Sequence, residues 1–267
     1  VFMKKTSSNQ SIDRMFRILE TLAVTGRAMR LNDIAEKSSV SASTAMRILN
    51  AMIENGYVYQ NPETQLYGLT YKLLWAGTAI RENLSLNQLL HPYLAEIARQ
   101  TGLSSALSVR NGDAVTFVDE VVSTSHMVRI YHHLGQSFPL YSTASGKVFL
   151  SGMPQEERER YYKANHLVPV TPKTLYTPQA LETAMEKIQS LGYAVDDEEA
   201  LLGMRCVALP VNISNGEVFA VISISGTIYQ VTAENIPLLA ATIQNVLAKL
   251  YEECRPVFSQ LQASELL

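Results

Sequence analysis

The spacing of apolar residues changes at Gly102, and no other feature of the sequence constrains the fold as much. Before Gly102, apolar residues recur every three or four positions, which is typical of amphipathic helices. After Gly102 the period becomes two, as in strands that bury one face, and helical spacing returns further on. The length of 267 residues leaves room for about two domains. The sequence therefore predicts a helical N-terminal domain followed by a larger α+β domain.

Three helices are predicted in the N-terminal part, at residues 11–26, 31–37 and 42–55. Gly56 supplies a stop after the third helix, because glycine readily adopts the left-handed conformation that ends helices. The second and third helices are separated only by the polar stretch 38–41, which has the length of a turn. This spacing predicts a helix-turn-helix arrangement.

A short hairpin is predicted after the third helix. Two β-rich runs at residues 57–60 and 66–69 flank the polar loop 61–65, which is typical of two paired strands. Three helices followed by a hairpin make a winged helix-turn-helix, and we assign this domain to residues 11–70. Residues 1–10 are polar, and we expect them to be a disordered lead-in.

Residues 71–101 are predicted to be a helical linker with a break near Leu84-Ser85. The segment carries many apolar residues at helical spacing, which is unusual for a plain linker. We therefore expect it to pack against another surface, most simply its own copy in a dimer.

The C-terminal part, residues 102–254, is predicted to be an α+β domain in which helices flank an antiparallel sheet. Hairpin strands bracket a helical middle, and the domain ends in a long helix. The strands are placed at 103–110, 114–122, 127–131, 193–195, 206–213 and 217–225, and the helices at 145–150, 154–165, 178–191 and 232–253, with Thr232 as the N-cap of the last one. Residues 255–267 are assigned to a C-terminal tail.

Charge is distributed unevenly along the chain, whose formal net charge is −3. Residues 1–80 carry nine Lys and Arg against six Asp and Glu, a net charge of +3, and the remainder carries 13 against 19, a net charge of −6. This asymmetry is compatible with nucleic-acid binding by the N-terminal part alone. Because a charge of +3 permits few phosphate contacts, we expect paired modules to bind together.

Cysteine usage, hydropathy and missing motifs exclude several classes of protein. Cys206 and Cys254 make no disulfide framework, which fits a reducing cytoplasm. No apolar run approaches the roughly 18 residues of a membrane span, and the N-terminal segment lacks the apolar stretch of a signal peptide. Phosphate-binding, dinucleotide-binding and nucleophile-elbow motifs are missing. His126, His132 and His133 lack partners at metal-ligand spacing and are interpreted as a solvated loop. We therefore expect no enzyme activity, no cofactor and no metal site.

Short motifs occur in a defined order along both parts of the chain. The first part carries LNDIA at 31–35, SASTAMRIL at 41–49 and GYV at 56–58. The second part carries PLYSTASGK at 139–147, GYAVDDEE at 192–199, GMRCVALPV at 203–211 and ISISG at 222–226. In their order and spacing, these segments resemble the IclR-type bacterial transcriptional regulators over residues 11–250.

The resemblance implies a winged helix-turn-helix domain joined by a helical linker to a GAF-like α/β effector-binding domain with an antiparallel sheet. It also implies a sequence-specific, DNA-binding transcriptional regulator, which we expect to repress catabolic genes under the control of a small organic acid. The expected partners are double-stranded operator DNA, the organic-acid effector and further copies in a homodimer or homotetramer. We expect no membrane partner and a cytoplasmic location.

Two alternatives to this function remain open. The chain could be a metabolite-binding protein or an enzyme whose N-terminal module serves only assembly. It could also be a DNA-binding protein that answers to no ligand, with a second domain used only for dimerisation. Turnover, or ligand binding unaffected by DNA, would distinguish the first alternative from the regulator.

Candidate DNA-binding residues lie around the third helix and in the hairpin loop. Short polar side chains near the start of a recognition helix can reach phosphates or base edges, and an arginine one turn later can read guanine. A solvated polar face has the same spacing, so the spacing alone leaves that alternative open, and the resemblance favours DNA. The candidates are Arg30, Ser41, Ser43, Thr44, Arg47, Asn50, Thr64 and Gln65.

Candidate effector-binding residues lie in the C-terminal part. Ala144 and Ser145 open a predicted helix, whose free N–H groups and dipole favour a carboxylate, although simple helix capping is the alternative. The resemblance implies effector contacts from Ala144, Ser145, Asp196 and Cys206. An apolar lining is expected from Met127, Ile130, Phe138, Leu202 and Met204. Plain core packing is the alternative for apolar residues in a period-two run.

Overall fold

The structure is a computed structural model that describes residues 9–75, 85–212 and 216–254. The chain divides into two compact units, Val1–Asn83 and Leu84–Leu267. Helices and antiparallel strands occur in both units, which confirms the predicted α+β fold class. Among the described residues, no helix has both the length and the apolar character that crossing a membrane requires.

Two predicted terminal segments lie largely outside the described residues. They are residues 1–8 of the expected lead-in and the whole expected tail at 255–267.

Within residues 9–70, the first unit packs three helices against a two-stranded hairpin, and residues 72–75 are helical as well. Its elements are α1 (Gln10–Thr25), α2 (Leu31–Lys37), α3 (Ala42–Glu54), β1 (Val58–Gln60) and β2 (Tyr67–Leu69). The Asn9 side chain caps α1, and Gly26 ends it in the left-handed conformation. Apolar residues at helical spacing, among them Ile18, Leu22 and Leu49, form the core of the unit. This order of elements confirms the predicted winged helix-turn-helix.

The hairpin is joined to the connection between α1 and α2. The Met29 N–H donates to the Tyr67 carbonyl at 2.9 Å, and the Tyr67 N–H donates back to the Met29 carbonyl at 2.8 Å. Between α2 and α3 the chain turns tightly, and the buried Ser38 hydroxyl donates to the Ile34 carbonyl at 2.6 Å. These bonds fix the wing and α3 within one small unit.

The second unit is built on a six-stranded antiparallel sheet with the strand order β5-β4-β3-β8-β7-β6. The strands are β3 (Ser104–Asn111), β4 (Ala114–Val121), β5 (Ser137–Pro139), β6 (Ala194–Asp197), β7 (Met204–Asn212) and β8 (Val218–Thr227). The helices are α4 (Ser85–Thr101), α5 (Ala144–Gly152), α6 (Gln155–Ala164), α7 (Pro178–Leu191) and α8 (Ile236–Glu253), with a 3₁₀ turn at Leu140–Ser142 before α5.

Helices cover both faces of this sheet, with α4 and α8 on one face and α5 and α7 on the other. Each face of the sheet has its own hydrophobic core, and strand β8 contributes side chains to both, because alternate residues of a strand point to opposite faces. Ile222 and Ile224 pack with α4 and α8, whereas Val221 packs with α5. Ser223 and Ser225 share the face of Val221 and are buried. The α5 side of the sheet therefore carries a polar stripe.

The predicted strand at residues 127–131 is wrong. The edge strand is β5, which pairs with β4 through Val115 and Phe138. The approach to β5 already occupies the free edge of β4, since the Gly135 N–H donates to the Phe117 carbonyl at 2.8 Å. Residues 122–136 therefore form an irregular loop between β4 and β5.

The last helix begins at Ile236, so the prediction that Thr232 caps it is also wrong. The Thr232 N–H donates to Asn235 Oδ1 at 2.9 Å, and the Asn235 N–H donates to Thr232 Oγ1 at 3.3 Å. This reciprocal pair closes a separate turn, and α8 starts only after it.

The second half of the predicted linker is helix α4 of the second unit. Leu90, Leu94 and Ile97 are fully buried against the sheet and α8. The Ser105 hydroxyl donates to the Leu94 carbonyl at 2.7 Å. The apolar face of α4, which we expected to meet a second copy, is therefore used within the same chain. Leu84, where the break is predicted, lies outside the described residues.

Candidate functional site

Helix α3 of the first unit begins with two linked hydroxyl groups. Ser41 is the N-cap, and its Oγ accepts the Thr44 N–H at 3.4 Å. The same oxygen lies 2.9 Å from Thr44 Oγ1, to which it donates. Ser41 and Thr44 therefore shape the start of the helix, and Ser43 is exposed beside them. The free N–H groups at this end favour a phosphate.

The outer face of α3 continues with Arg47 and Asn50, which are exposed on the same side as Ser43 because residues three and four apart share a helix face. Met46, which is not among the sequence candidates, is 46% exposed at the edge of this face. The opposite face is buried and consists of Ala45, Ile48, Leu49 and Met52. The helix therefore presents one polar surface with a long donor at its centre.

The wing loop and the start of α2 carry the remaining candidates, all of them exposed. Asn61 Oδ1 accepts the N–H groups of Glu63 and Thr64, both at 2.9 Å, and holds the loop in a tight turn. The Gln65 side chain donates to the Pro62 carbonyl at 2.8 Å and so folds back on the wing. Arg30 occupies the N-cap position of α2 without a side-chain cap bond.

The second unit contains a cavity of about 450 Å³ on the α5 side of its sheet. Its walls come from strands β4 and β5, the loop 122–136 between them, the start of α5, strands β6 to β8 and the residues that follow β6. The sequence candidates that line it are Ile130, Phe138, Ala144, Ser145, Asp196, Met204 and Cys206. The structure thus brings together residues up to about 80 positions apart in the chain.

Met127 does not line this cavity, because its side chain is 99% exposed. Period-two spacing would place Met127 on the inward face of a strand, but residues 127–131 form no strand. Leu202 is exposed as well, and its neighbour Leu201 lines the cavity instead. These two residues are corrections to the expected lining.

The N-terminus of α5 opens on the cavity. Thr143 is the N-cap, and its Oγ1 accepts the Gly146 N–H at 3.0 Å, so neither Ser145 nor Gly146 caps the helix. Ala144 and Ser145 belong to the first turn, whose N–H groups have no acceptor within the helix. Both residues line the cavity, and the helix dipole adds partial positive charge there. This end of α5 can hold a carboxylate.

Asp196 places a buried carboxyl group in the same cavity wall. Its Oδ1 accepts the N–H groups of Glu199 at 2.7 Å and Ala200 at 3.3 Å. Burial raises the pKa of Asp196 to about 6, and the positive charge of Lys147 limits the rise. Near neutral pH this group can accept a hydrogen bond from a ligand hydroxyl, and it takes up a proton when negative charge approaches.

His132 lies in the cavity wall, so the interpretation of all three histidines as a solvated loop is wrong for this residue. Its side chain is only 9% exposed. Nδ1 lies 2.8 Å from Glu120 Oε1, and Nε2 lies 3.1 Å from Ser225 Oγ. The ring also packs on Phe117, with 4.5 Å between the ring centroids. His126 and His133 are exposed, as expected.

Cys206 lies between Asp196 and Ser225 in the sheet, as the cross-strand partner of both. Its Sγ is 3.2 Å from Ser225 Oγ. Burial strongly raises the pKa of the Cys206 thiol, which therefore stays protonated and is a weak hydrogen-bonding group rather than a nucleophile. Across the described ranges, no group of histidine, cysteine and carboxylate side chains is arranged to hold a metal ion.

Sequence reasoning missed several residues of the cavity wall, among them Phe117, His132, Ser223 and Ser225. The serines of β8 had a signal, because two serines at alternate positions of an apolar strand put hydroxyl groups on one buried face. His132 had none, since Glu120 and Ser225 are 12 and 93 positions away in the chain.

Comparison with protein families decides how both units are classified. The IclR helix-turn-helix domain matches residues 11–62, and the bacterial transcriptional regulator IclR C-terminal domain matches residues 78–250. The chain belongs to the IclR family. Members of this family are transcriptional regulators, not enzymes, so the enzyme alternative has no support from its relatives.

Individual IclR-family relatives match most of the chain. The HTH-type transcriptional regulator KdgR of Escherichia coli is 29% identical over 258 residues, which are 97% of this chain and 95% of KdgR. Transcriptional repressor IclR of the same organism is 27% identical over 239 residues, 89% of this chain and 87% of that protein.

Solved structures of the family have the same fold. Thermotoga maritima IclR has a TM-score of 0.72 at 30% sequence identity and covers 92% of this chain and 99% of its own. An IclR homolog from Microbacterium hydrocarbonoxydans, complexed with 4-hydroxybenzoate, has a TM-score of 0.72 at 22% identity and covers 92% of this chain and 99% of its own. At 22% identity, the similarity to the Microbacterium homolog supports a shared fold and nothing more.

Proposed function

We propose that this IclR-family regulator is a repressor whose affinity for operator DNA is controlled by a small organic acid. The observation that carries the proposal is the cavity at the N-terminus of α5, lined by Ser145 and Asp196, in a chain that also contains a helix-turn-helix. Effector and operator then favour different states of the protein, and each changes the affinity for the other.

DNA binding is assigned to the outer face of α3 and to the wing. Ser41, Ser43 and Thr44 lie at the helix N-terminus, where phosphates and base edges are reached, and Arg47 is long enough to contact guanine from the same face. Arg30, Asn50, Thr64 and Gln65 are assigned to contacts at the margin of this surface. Because one module carries a net charge of only +3, binding by a homodimer or homotetramer in the cytoplasm is part of the proposal.

The names of two relatives support the repressor role. They are transcriptional repressor IclR of Escherichia coli and the acetate operon repressor of Salmonella typhimurium, both 27% identical to this chain. By analogy with the acetate operon in the second name, we assign the targets to catabolic genes. This step rests on relatives rather than on the geometry of the site.

The ligand class follows from the cavity lining. The N-terminus of α5 suits a carboxylate, and Asp196 suits a hydroxyl donor. The remaining wall is largely apolar and aromatic, with Phe117, Phe138 and Met204 among its residues. The apolar area of this wall favours an acid with an apolar or aromatic body, and the polar side chains of the wall, among them Arg129, Gln136 and Ser225, can pair with only a few polar groups of the ligand. The bound 4-hydroxybenzoate of the Microbacterium homolog is an acid of this kind.

The test asks whether a ligand of the second unit changes the affinity of the protein for DNA. A duplex is selected by the wild-type protein from a random library, and its affinity is then measured by fluorescence anisotropy with and without a panel of aliphatic, aromatic and sugar acids at millimolar concentration. We expect at least one acid with an apolar body to weaken operator binding severalfold. Acids that bind in a thermal-shift assay without changing operator affinity would instead indicate a ligand-binding domain without control of DNA binding.

A further inference from the structure

His132 is connected at both ring nitrogens to side chains of the sheet, which gives a loop residue an unusually defined orientation. Glu120 Oε1 accepts one hydrogen bond from the ring nitrogen Nδ1 of His132 and a second from the backbone N–H of the same residue, both at 2.8 Å. Because a carboxylate oxygen accepts hydrogen bonds, Nδ1 is the donor in this contact. Glu120 therefore fixes the ring tautomer, and Nε2 is the nitrogen that faces Ser225.

Ser225 has one hydroxyl proton and two neighbours that compete for it. His132 Nε2 is 3.1 Å away and Cys206 Sγ is 3.2 Å away. With neutral imidazole, Nε2 is the stronger acceptor and takes this proton, and the Cys206 S–H donates to Ser225 Oγ. The oxygen of Ser225 then keeps one lone pair, which is the only hydrogen-bonding capacity that it can offer to a ligand.

Ser225 and Asp196 lie two strands apart in the same row of the sheet, with Cys206 between them. Neighbouring strands are about 4.8 Å apart, so the two positions are separated by about 10 Å. Both line the cavity. A ligand that extends from Asp196 to Ser225 can therefore be recognised by hydrogen bonds at both ends. At the second end, the Ser225 hydroxyl determines whether a donor or an acceptor group of the ligand is bound.

We propose that His132, oriented by Glu120, is a positioning residue that holds Ser225 as a hydrogen-bond acceptor and thereby selects ligands with a hydroxyl donor at that end. The inference rests on the proposed function, since it specifies the ligand of the same cavity.

The experiment uses three acids that differ in one group: 4-hydroxybenzoate as the donor, 4-methoxybenzoate as an acceptor only, and 4-methylbenzoate as neither. Calorimetric titration of the full chain gives the three Kd values. For the wild type we expect 4-hydroxybenzoate to bind about five- to tenfold more tightly than the other two, the effect of one neutral hydrogen bond. This preference is the readout, because a loss of folding alone would weaken all three acids together.

The variants avoid an unpaired buried charge. Glu120→Gln keeps an amide oxygen that accepts Nδ1–H, so we expect it to retain the preference. Glu120→Gln combined with His132→Phe keeps a ring against Phe117 but removes Nε2, which frees the Ser225 proton. In that double variant we expect 4-methoxybenzoate to bind as well as 4-hydroxybenzoate. His126→Phe is the matched control, because this exposed histidine lies on the same loop but outside the cavity lining, and it should behave as the wild type.

The outcomes separate the two proposals. Equal binding of all three acids to the wild type, tighter binding of 4-methoxybenzoate, or an unchanged preference in the double variant would each overturn the role of His132 and leave the ligand class standing. If the wild type binds none of the acids at millimolar concentration, both this inference and the aromatic part of the ligand class are wrong. Urea denaturation followed by circular dichroism checks that every variant is folded.

Discussion

Lys147 on α5 forms an ion pair with Glu199, and both side chains are almost completely buried. Lys147 Nζ also donates to the Val195 carbonyl on β6 at 2.7 Å. The second carboxylate oxygen of Glu199 has no hydrogen-bond partner within the described part of the chain. The pair therefore connects α5, whose first turn faces the cavity, with the strand that carries Asp196.

The first prediction concerns the removal of this lysine. Lys147→Met leaves the Glu199 carboxylate buried without a cation, and we expect the free energy of unfolding to fall by about 3–5 kcal/mol. Urea denaturation followed by circular dichroism measures the loss. Lys147→Met combined with Glu199→Gln removes both charges and should lie closer to the wild type. An equal loss in the single and the double variant would contradict the importance of the pair.

The second prediction concerns the pH dependence of stability. The folded pKa of Asp196 is raised from 3.8 to about 6 by burial. The folded state therefore binds this proton more tightly, and the resulting stabilisation is complete below pH 3.8 and lost as the pH rises through about 6. Asp196→Asn lacks this dependence, and its amide oxygen can still accept the two backbone N–H groups.

We therefore expect Asp196→Asn to be more stable than the wild type by roughly 2–3 kcal/mol at pH 8, and about as stable at pH 4. Urea denaturation at both pH values gives the difference. The same variant should lose the response of operator affinity to the acid. A constant difference between the two proteins from pH 4 to pH 8 would show that the Asp196 carboxyl group does not titrate in this way.

The third prediction concerns the close contact of α5 with the 3₁₀ turn. A Cβ at Gly146 would lie 2.2 Å from the Leu140 carbonyl oxygen, a backbone atom that cannot move aside. Gly→Ala inside a helix ordinarily gains up to about 1 kcal/mol, but overpacking costs about 1–3 kcal/mol, and here the clash involves backbone. We expect Gly146→Ala to be destabilised by about 2 kcal/mol and to bind the effector more weakly.

Gly152 at the other end of α5 is a matched control. A Cβ there would meet only the Val218 side chain, at 2.8 Å, and that methyl group can rotate away. Gly152→Ala should therefore be much closer to the wild type in thermal denaturation. If both alanine variants lost the same stability, helix α5 would be sensitive to any added methyl group, and the contact with Leu140 would not be special.

Local patterns in the sequence were sufficient for most of the architecture. The alternation along β8 and the helical spacing of α3 both follow from the side-chain periods of strands and helices, so they were predictable without any contact information. The start of α5 was predictable from the helical spacing that follows it, although Thr143 rather than Ser145 proved to be its cap.

The predictions that proved wrong concern segments whose structure depends on contacts with residues far away in the chain. Residues 127–131 have the alternating pattern of a strand, but residues 135–139 form the hydrogen bonds to the edge of β4. No local property of the sequence shows which of the two segments pairs with β4. The inward position of Met127 failed with that strand. His132 became part of the site through Glu120 and Ser225, so its role follows from the closed sheet and not from its neighbours in the chain.

The last prediction concerns the centre of the DNA-binding face. Arg47 is exposed on α3 between Ser43 and Asn50, and it is the long side chain to which we assign base readout under the proposed function. We expect Arg47→Ala to weaken binding to the selected duplex by about 1–3 kcal/mol, roughly 5- to 150-fold, in an anisotropy titration. Binding to an unrelated duplex should weaken less, since it depends on phosphate contacts alone.

Arg160→Ala on the exposed face of α6 removes the same charge from the second unit and should change neither affinity. An equal loss on both duplexes in the Arg47 variant would identify a phosphate contact and exclude base readout by this residue.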